Sequence, residues 1–173
     1  MNQESEIEFV ITGGTIDSVY DGTKDTVVPS NESILPEVMR LIKSDAVFYF
    51  NTVCMKDSRG LNAEDLENIF KAIVNSKCSK IIVTHGTYTM PDTARYLQKK
   101  LIENDKTVIL TGSLVPIKGF SPSDGPFNLG YAVAKVRELP PGVYVAMNAR
   151  IFTPDEVVKR ISEGKFVSIL GEK

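Results

Sequence analysis

Hydrophobic residues along this chain form short continuous runs, and the segments between the runs have the spacing of amphipathic helices. Short apolar runs bounded by turn residues predict buried β-strands. The predicted strands are residues 7–12, 47–53, 80–84, 107–110 and 143–147. Strands that alternate with helices are typical of a parallel sheet covered by helices. We therefore predict an α/β fold: an open, mostly parallel sheet flanked by helices on both faces, as in Rossmann or flavodoxin-like three-layer sandwiches.

Four further segments carry helix signals. The first helix is predicted to begin after Asn62, whose side chain can cap it. The second begins after Thr89, and the third spans residues 126–136. The fourth runs from Thr153, which opens a Thr-Pro-Asp-Glu capping box, to about Ile161. The apolar faces of these helices are explained by core packing.

The segment from about residue 17 to residue 31 has neither the strand nor the helix pattern and is rich in Asp, Ser, Thr and Gly. Long irregular loops in ordered domains often act as lids over a binding site. A disordered surface loop has the same composition. Both interpretations stay open for this segment.

Length and composition limit the possible classes of protein. The chain has 173 residues, 42% of them hydrophobic and 24% charged, which suits one well-buried core and is too short for two ordinary domains. We predict a single domain over residues 1–173. The formal net charge of -2 comes with no basic cluster, which argues against nucleic acid or an anionic membrane as a partner. A small molecule is the expected partner.

Targeting and redox signals in the sequence further limit the class of protein. The first residues are polar and acidic, unlike a signal peptide, and no apolar run reaches membrane-spanning length. We therefore expect a cytoplasmic protein. Cys54 and Cys78 lack metal-ligand spacing around them, which predicts reduced core thiols rather than a disulfide or a zinc site. We expect neither a metal nor a cofactor.

Polar turn residues follow the predicted strands. After the first strand, the Thr-Gly-Gly-Thr turn at residues 12–15 removes side chains, so that backbone N–H groups and the Thr15 hydroxyl can face a ligand. Such a turn can also bind a phosphate or only reverse the chain. Residues 57–59 and 84–89 add hydroxyl-bearing segments after two other strands. Because parallel strands end at one edge of a sheet, we expect these segments to meet there.

Four motifs occur in order along the chain: ITGGTI at residues 11–16, VTHGTYTM at 83–90, KTVILTG at 106–112 and DGPFNL at 124–129. Together they resemble the signatures of the bacterial-type L-asparaginase family, in the same order and at similar spacing. In that family the motifs belong to the larger, N-terminal domain of a two-domain enzyme. The chain resembles a short form that consists of this catalytic domain and lacks the C-terminal one.

The resemblance implies roles for three residues. Thr15 matches the threonine that attacks the side-chain amide carbon, giving a covalent acyl-enzyme that water then hydrolyses. Thr87 matches a second threonine, and Lys106 matches a lysine that accepts the proton through the neighbouring hydroxyl. Without the resemblance, Lys106 is a solvated residue at the start of a strand.

Further residues are expected to bind the substrate. The resemblance implies that the turns containing Gly14 and Gly86 supply backbone N–H groups to the oxyanion. Ser58 matches the serine that binds the α-carboxylate of the substrate. His85 is the only histidine, and in the resembling motif it is a structural part of the turn, so we assign it no catalytic role.

The chain departs from the family pattern at the substrate pocket. Tyr88 stands where the family has an aspartate that binds the α-ammonium group, and a neutral phenol cannot replace that charge. Arg59 stands where many members have glutamine. We expect these changes to favour anionic ligands over a zwitterionic amino acid. The family's lid tyrosine has no counterpart in sequence context, and Tyr20 is the nearest candidate; it either assists the nucleophile or covers the pocket.

We predict an asparaginase-like amidohydrolase that converts asparagine to aspartate and ammonia. One alternative is hydrolysis of another small amide or acyl compound, which Tyr88 and Arg59 suggest. Another is a non-catalytic domain that binds a small molecule. Because the resembling family assembles into oligomers, we also expect a homo-oligomer.

Overall fold

The computed structural model describes residues 6–103 and 105–171. In chain order the strands are β1 (Glu6–Gly13), β2 (Ser18–Asp21), β3 (Thr26–Pro29), β4 (Val47–Lys56), β5 (Lys80–Thr84), β6 (Thr107–Thr111), β7 (Gly142–Met147), β8 (Arg150–Phe152), β9 (Val157–Arg160) and β10 (Lys165–Ser168). The helices are α1 (Leu35–Ile42), α2 (Ala63–Asn75), α3 (Met90–Lys100) and α4 (Gly125–Glu138).

Six strands form the central sheet, in the order β4-β1-β5-β6-β7-β8. Every neighbouring pair from β4 to β7 is parallel, and β8 runs antiparallel to β7. The mostly parallel α/β sheet is therefore confirmed. Two small antiparallel hairpins, β2–β3 and β9–β10, lie outside this sheet.

Alternate strand residues point into two hydrophobic cores, one on each face of the sheet. On one face Val10, Val83 and Leu110 pack with apolar residues of α2 and α3. On the other face Phe9 and Ile82 pack with apolar residues of α1 and α4. Helices therefore cover both faces of the sheet, as predicted, and the sheet is held rigidly between them.

Parallel topology brings the carboxyl ends of the central strands to one edge. The Thr12 hydroxyl donates to the carbonyl oxygen of Thr84 at 2.8 Å. The His85 N–H donates to the carbonyl oxygen of Thr111 at 2.9 Å. These bonds continue the sheet's cross-strand links beyond the regular ladders, so the turns that follow β1 and β5 begin from fixed positions.

Residues 17–31 are more ordered than the sequence pattern predicts. They contain the β2–β3 hairpin, paired from Ser18 opposite Pro29 to Asp21 opposite Thr26. Helix α1 follows it and was also not predicted, although Leu35 is buried. Each strand of the hairpin has 4 residues and α1 has 8, so each element carries too few periodic positions to be recognised.

The helix predicted from Thr153 to about Ile161 is wrong. Part of the capping box does form, because the Thr153 N–H donates to Glu156 Oε1 at 2.8 Å. The chain then makes a single turn and enters β9, whose first residues Val157 and Val158 are β-branched and suit a strand. Pairing with β10, a contact that local sequence signals do not contain, decides the outcome.

Two expectations about the chain's environment can be compared with the structure. Each helix within residues 6–103 and 105–171 is too short or too polar to cross a lipid bilayer. Cys54 and Cys78 are free thiols, but only Cys78 lies in the core as predicted, and Cys54 is partly buried. Burial raises the pKa of both thiols, that of Cys54 to about 11, so neither is a reactive thiolate at neutral pH.

His85 joins the turn after β5 to helix α3. Its side chain is completely buried, with Nδ1 2.8 Å from the Gly86 carbonyl oxygen and Nε2 2.9 Å from the Thr93 hydroxyl. A carbonyl oxygen only accepts, so Nδ1 carries the proton and Nε2 accepts from Thr93. Burial lowers the pKa of His85 to about 4. The ring is therefore neutral at neutral pH, and both nitrogens hold the turn in place.

This depressed pKa predicts that the protein is less stable in mild acid. The unfolded chain protonates His85 near pH 6.5, whereas the folded chain does so only near pH 4. The unfolded state binds more protons between these values, so the free energy of unfolding should fall as pH falls through this window, by about 3 kcal/mol at most. Urea unfolding at pH 7, 5.5 and 4.5 measures the change.

The matched control is His85→Asn, which keeps a donor toward Gly86 but does not titrate. Its free energy of unfolding should lack the decrease that His85 causes. Burial raises the pKa of Asp17, which works in the opposite direction, but this contribution is common to both proteins. An equal decrease in wild type and His85→Asn would contradict the prediction.

Candidate active site

Three polar turns meet at the carboxyl edge of the sheet, as the topology predicts. A Cβ atom added to Gly14 would lie 2.4 Å from the backbone nitrogen of Gly86. One added to Gly86 would lie 2.9 Å from the backbone nitrogen of Ser58. The turns after β1, β4 and β5 therefore touch through backbone atoms, and a side chain at either glycine would separate them.

Thr15 begins a short 3-10 turn directly after Gly14. Gly14 has a φ of 81°, a conformation that glycine adopts without strain, and its N–H donates to the carbonyl oxygen of Lys56 at 2.9 Å. Thr15 is half-buried and directly follows Gly14, which packs against Gly86. The Gly14 N–H is therefore used within the protein and does not face a ligand, contrary to the expectation for this turn.

Thr87 pairs with a lysine that the sequence analysis did not single out. Lys159 Nζ lies 2.7 Å from the Thr87 hydroxyl oxygen and donates to it. Thr87 is buried, and Lys159 is partly buried on β9. Burial lowers the pKa of Lys159, and the nearby charge of Arg59 lowers it further, while Asp57 opposes the shift. A lysine with a lowered pKa beside a buried hydroxyl is suited to proton transfer.

Lys106 lies elsewhere, and its expected position beside Thr87 is wrong. It precedes β6, whose first residue Thr107 pairs with Lys80, so it stands at the amino edge of the sheet. Its Nζ donates to the carbonyl oxygens of Ser76 and Cys78 at 2.7 and 2.9 Å. Lys106 therefore fixes the loop that enters β5, on the opposite side of the sheet from the three turns.

Arg59 and Tyr88 contact each other beside Thr87. The Arg59 guanidinium carbon lies 5.5 Å from the centre of the Tyr88 ring, a cation–π arrangement. Arg59 also donates to both carboxylate oxygens of Asp57, at 3.0 and 3.1 Å. Asp57 was predicted to lie at this edge but was given no role, and its negative charge offsets much of the positive charge of Arg59.

Ser58 is held between the turns rather than exposed in them. It is buried, its hydroxyl accepts from the Thr89 N–H at 3.4 Å, and its carbonyl oxygen accepts from the Thr89 hydroxyl at 3.0 Å. Thr89 begins α3 as predicted, but its hydroxyl serves Ser58 instead of capping the helix. The turn after β4 is thereby fastened to the start of α3.

Tyr20 lies in the β2–β3 hairpin, and its side chain is more than half exposed. Its hydroxyl donates to Asp25 Oδ1 at the tip of the same hairpin, and this bond raises the pKa of Tyr20. The hairpin holds the phenol through a local contact. Its catalytic role stays a prediction.

A shallow cavity of about 250 Å³ opens next to the Thr87–Lys159 pair. It is lined by Tyr88, Pro91, Asp92, Arg95, Val158, Lys159 and Ile161. A larger cavity of about 570 Å³ lies between β1, β4 and α2, and none of its lining residues belongs to the three turns. Within the described residues, no group of three His, Cys, Asp or Glu side chains is arranged to bind a metal.

Lys159 was missed because the capping box at Thr153 suggested a helix, in which Lys159 would read as a surface residue. A usable signal was present in the sequence: two consecutive valines precede Lys159, and such a pair favours a strand. In a strand, side chains alternate between two faces, which can bring one lysine inward. The proximity of β9 to Thr87 depends on tertiary packing and has no local signal.

Comparison with known proteins identifies the family of the chain. Residues 6–165 match the family profile described as "Asparaginase, N-terminal". The chain is 31% identical over 166 residues to L-asparaginase 2 of Escherichia coli, covering 88% of this chain and 46% of that protein. It therefore spans about half the length, or less, of the curated relatives it matches.

Comparison with solved structures also indicates an asparaginase. The thermostable L-asparaginase from Thermococcus kodakarensis superimposes with a TM-score of 0.83 at 28% identity, over 96% of this chain and 52% of that one. A probable cytoplasmic L-asparaginase from Campylobacter jejuni gives 0.80 at 31% identity, over 95% and 53% of the two chains. The chain therefore belongs to the asparaginase family, with the sequence signature and the fold of its N-terminal domain.

Proposed function

We propose that this protein hydrolyses asparagine to aspartate and ammonia, with Thr15 as the nucleophile. The observation that carries the proposal is the 2.7 Å contact between Lys159 and Thr87, next to the close approach of Gly14 and Gly86. A threonine hydroxyl is a weak nucleophile unless a base takes its proton. The base in this proposal is Lys159, in place of Lys106.

The proposed reaction has two steps. The neutral amine of Lys159 accepts, through the Thr87 hydroxyl, the proton of Thr15, whose oxygen attacks the side-chain amide carbon. Ammonia leaves with the transferred proton, and the Thr15 ester remains. Water then attacks the ester, the same pair accepts a proton from the water and returns it to the Thr15 oxygen, and aspartate is released. Backbone amides of the turns around Thr15 and Thr87 stabilise the oxyanion in both steps.

Binding of the substrate's α-carboxylate is assigned to Ser58, and Tyr20 is assigned to the segment that closes over the site. The position of Ser58 supports this assignment, because Ser58 contacts the turn at Gly86, and Gly86 is next to Thr87. The position of Tyr20 supports its assignment, because Tyr20 lies in the β2–β3 hairpin, which begins 3 residues after Thr15. We further propose a cytoplasmic homo-oligomer that needs no cofactor.

A second candidate substrate is an amide without an α-ammonium group. The observation that favours it is the Arg59–Tyr88 stack. Tyr88 supplies no negative charge, and the Asp57 carboxylate is already bound to Arg59. The cavity beside Lys159 also has an apolar wall that includes Val158 and Ile161. These features suit an uncharged substituent better than an ammonium group.

Substitution of each lysine tests which of the two acts as the base. Lys159→Met should lower kcat/KM for asparagine at least about 100-fold, the usual contribution of a general base. Lys106→Met is the matched control and should stay within about threefold of wild type, because Lys106 lies at the other edge of the sheet. Ammonia release measures both variants.

Thr15→Ala tests the nucleophile in the same assay and should lower kcat by at least about 1,000-fold. Full activity in Thr15→Ala would rule out the assigned nucleophile. Loss of activity in Lys106→Met, with Lys159→Met unchanged, would reverse the assignment of the base. Binding of asparagine that stabilises the wild type thermally, without release of ammonia, would indicate a non-catalytic domain.

The pH profile of asparagine hydrolysis also tests Lys159 as the base. Lys159 acts in its neutral form, so kcat/KM should rise with pH through the pKa of Lys159. Arg59 lowers that pKa and Asp57 raises it. Arg59→Gln should therefore shift the rising limb to higher pH, and Asp57→Asn should shift it to lower pH. Shifts in the same direction for both variants would show that the limb reports another group.

Substitution of Tyr88 tests the choice between the two candidate substrates. Tyr88→Asp should raise kcat/KM for asparagine relative to succinamate, its analogue without the α-ammonium, by about tenfold, as expected for one charged hydrogen bond. Tyr88→Phe is the matched control and should leave the ratio within about threefold. An unchanged ratio in Tyr88→Asp would show that position 88 does not face the α-substituent.

A further inference from the structure

Asp17 is a buried carboxylate in the same 3-10 turn as Thr15. Only 2% of its surface is exposed. Its Oδ1 accepts from the Ser33 hydroxyl and from the Ile34 N–H, both at 2.8 Å. Its Oδ2 has no hydrogen-bond partner within the described part of the chain. A fully buried carboxylate with one unsatisfied oxygen is costly, so its presence requires an explanation.

Asp17 connects three parts of the structure. Its N–H donates to the Gly14 carbonyl oxygen, which closes the turn that contains Thr15. Its own carbonyl oxygen accepts from the Ser30 N–H at 2.9 Å, which closes the base of the β2–β3 hairpin. Its carboxylate holds Ser33 and Ile34 at the start of α1. The Thr15 turn, the hairpin and α1 therefore share one residue as their common anchor.

The structure uses Asp17 as a hydrogen-bond acceptor rather than as a charge. An asparagine would keep an oxygen acceptor for Ser33 and Ile34 without the cost of burying a charge. Burial raises the pKa of Asp17 despite both hydrogen bonds, which shows that the environment disfavours the charge. A cavity of about 140 Å³ lies beside it, lined in part by Glu32, Glu37 and Lys118.

We propose that Asp17 is a positioning residue for the Thr15 nucleophile, and that it couples the position of the β2–β3 hairpin to that of the Thr15 hydroxyl. The proposal rests on the proposed catalytic role of Thr15. Movement of the hairpin base would pull on the carbonyl of Asp17, and the turn bond to Gly14 would pass this movement to Thr15. The carboxylate limits such movement by fixing the turn to the buried start of α1.

The experiment compares Asp17→Ala with Asp17→Asn in steady-state hydrolysis of asparagine. Asp17→Ala removes both Oδ1 bonds and should lower kcat at least about tenfold while KM changes less than about threefold, because the nucleophile is misplaced but the binding groups remain. Asp17→Asn keeps both acceptor bonds and should restore kcat to within about threefold of wild type.

Two controls separate positioning from general loss of stability. Val136→Ala removes buried methyl groups of α4, on a different element from Asp17, and should lower the melting temperature without lowering kcat. Ser33→Ala removes one of the two Oδ1 partners and provides a milder variant in case Asp17→Ala does not fold. It should lower kcat a few-fold, again with little change in KM.

Hydrogen exchange measured without substrate gives a readout independent of activity. In Asp17→Ala and Ser33→Ala, amides of residues 15–34 should exchange faster, whereas those of β5 and β6 should not. If wild type fails to hydrolyse asparagine, the proposed function fails, and the exchange data still decide whether Asp17 anchors the Thr15 turn. The inference is overturned by unchanged kcat in Asp17→Ala, by equal losses in Asp17→Asn and Asp17→Ala, or by exchange that rises equally throughout the chain.

Discussion

The backbone contact between Gly14 and Gly86 is the constraint on which the rest of the site depends. Neither position has room for a Cβ atom, since one at Gly14 would meet the Gly86 nitrogen at 2.4 Å. The contact exists because parallel β1 and β5 are adjacent and end at the same edge. Thr15 and Thr87 each follow one of these glycines. Their separation is thus fixed by main-chain packing, which varies less than side-chain rotamers do.

The charges around this contact are organised in pairs. Arg59 is bound to Asp57 by two hydrogen bonds, so its presence alters the local charge less than its sequence position suggests. Lys159 contacts the neutral Thr87 hydroxyl instead, and its lowered pKa reflects burial first and Arg59 second. Arg59 is therefore balanced by Asp57 and stacked on the aromatic face of Tyr88, and the pocket gains little net positive charge from it.

The sequence could predict what depends on local patterns and on motif order. The five central strands, the helices after Asn62 and Thr89, and the meeting of three turns at one edge all follow from periodicity and parallel topology. Lys159 could not be located in this way. Its segment carries a helix-capping signal, and the competing strand is stabilised by pairing with residues 165–168, so the decisive energy comes from contacts beyond the local window. Lys106, in contrast, is the first residue of a matching motif, and motif order alone favours it over Lys159.

The β9–β10 hairpin that carries Lys159 packs Val157 and Phe166 into the core and is hydrogen-bonded to the domain by Arg95 and Asn148. It shares no ladder with the central sheet. During synthesis, β1 and β5 with both glycine turns emerge well before residue 159, so Lys159 joins the site after these turns have been made. A nascent chain that ends before β9 would contain both turns and lack Lys159, so the Thr87–Lys159 pair forms only after residues 157–168 have been made.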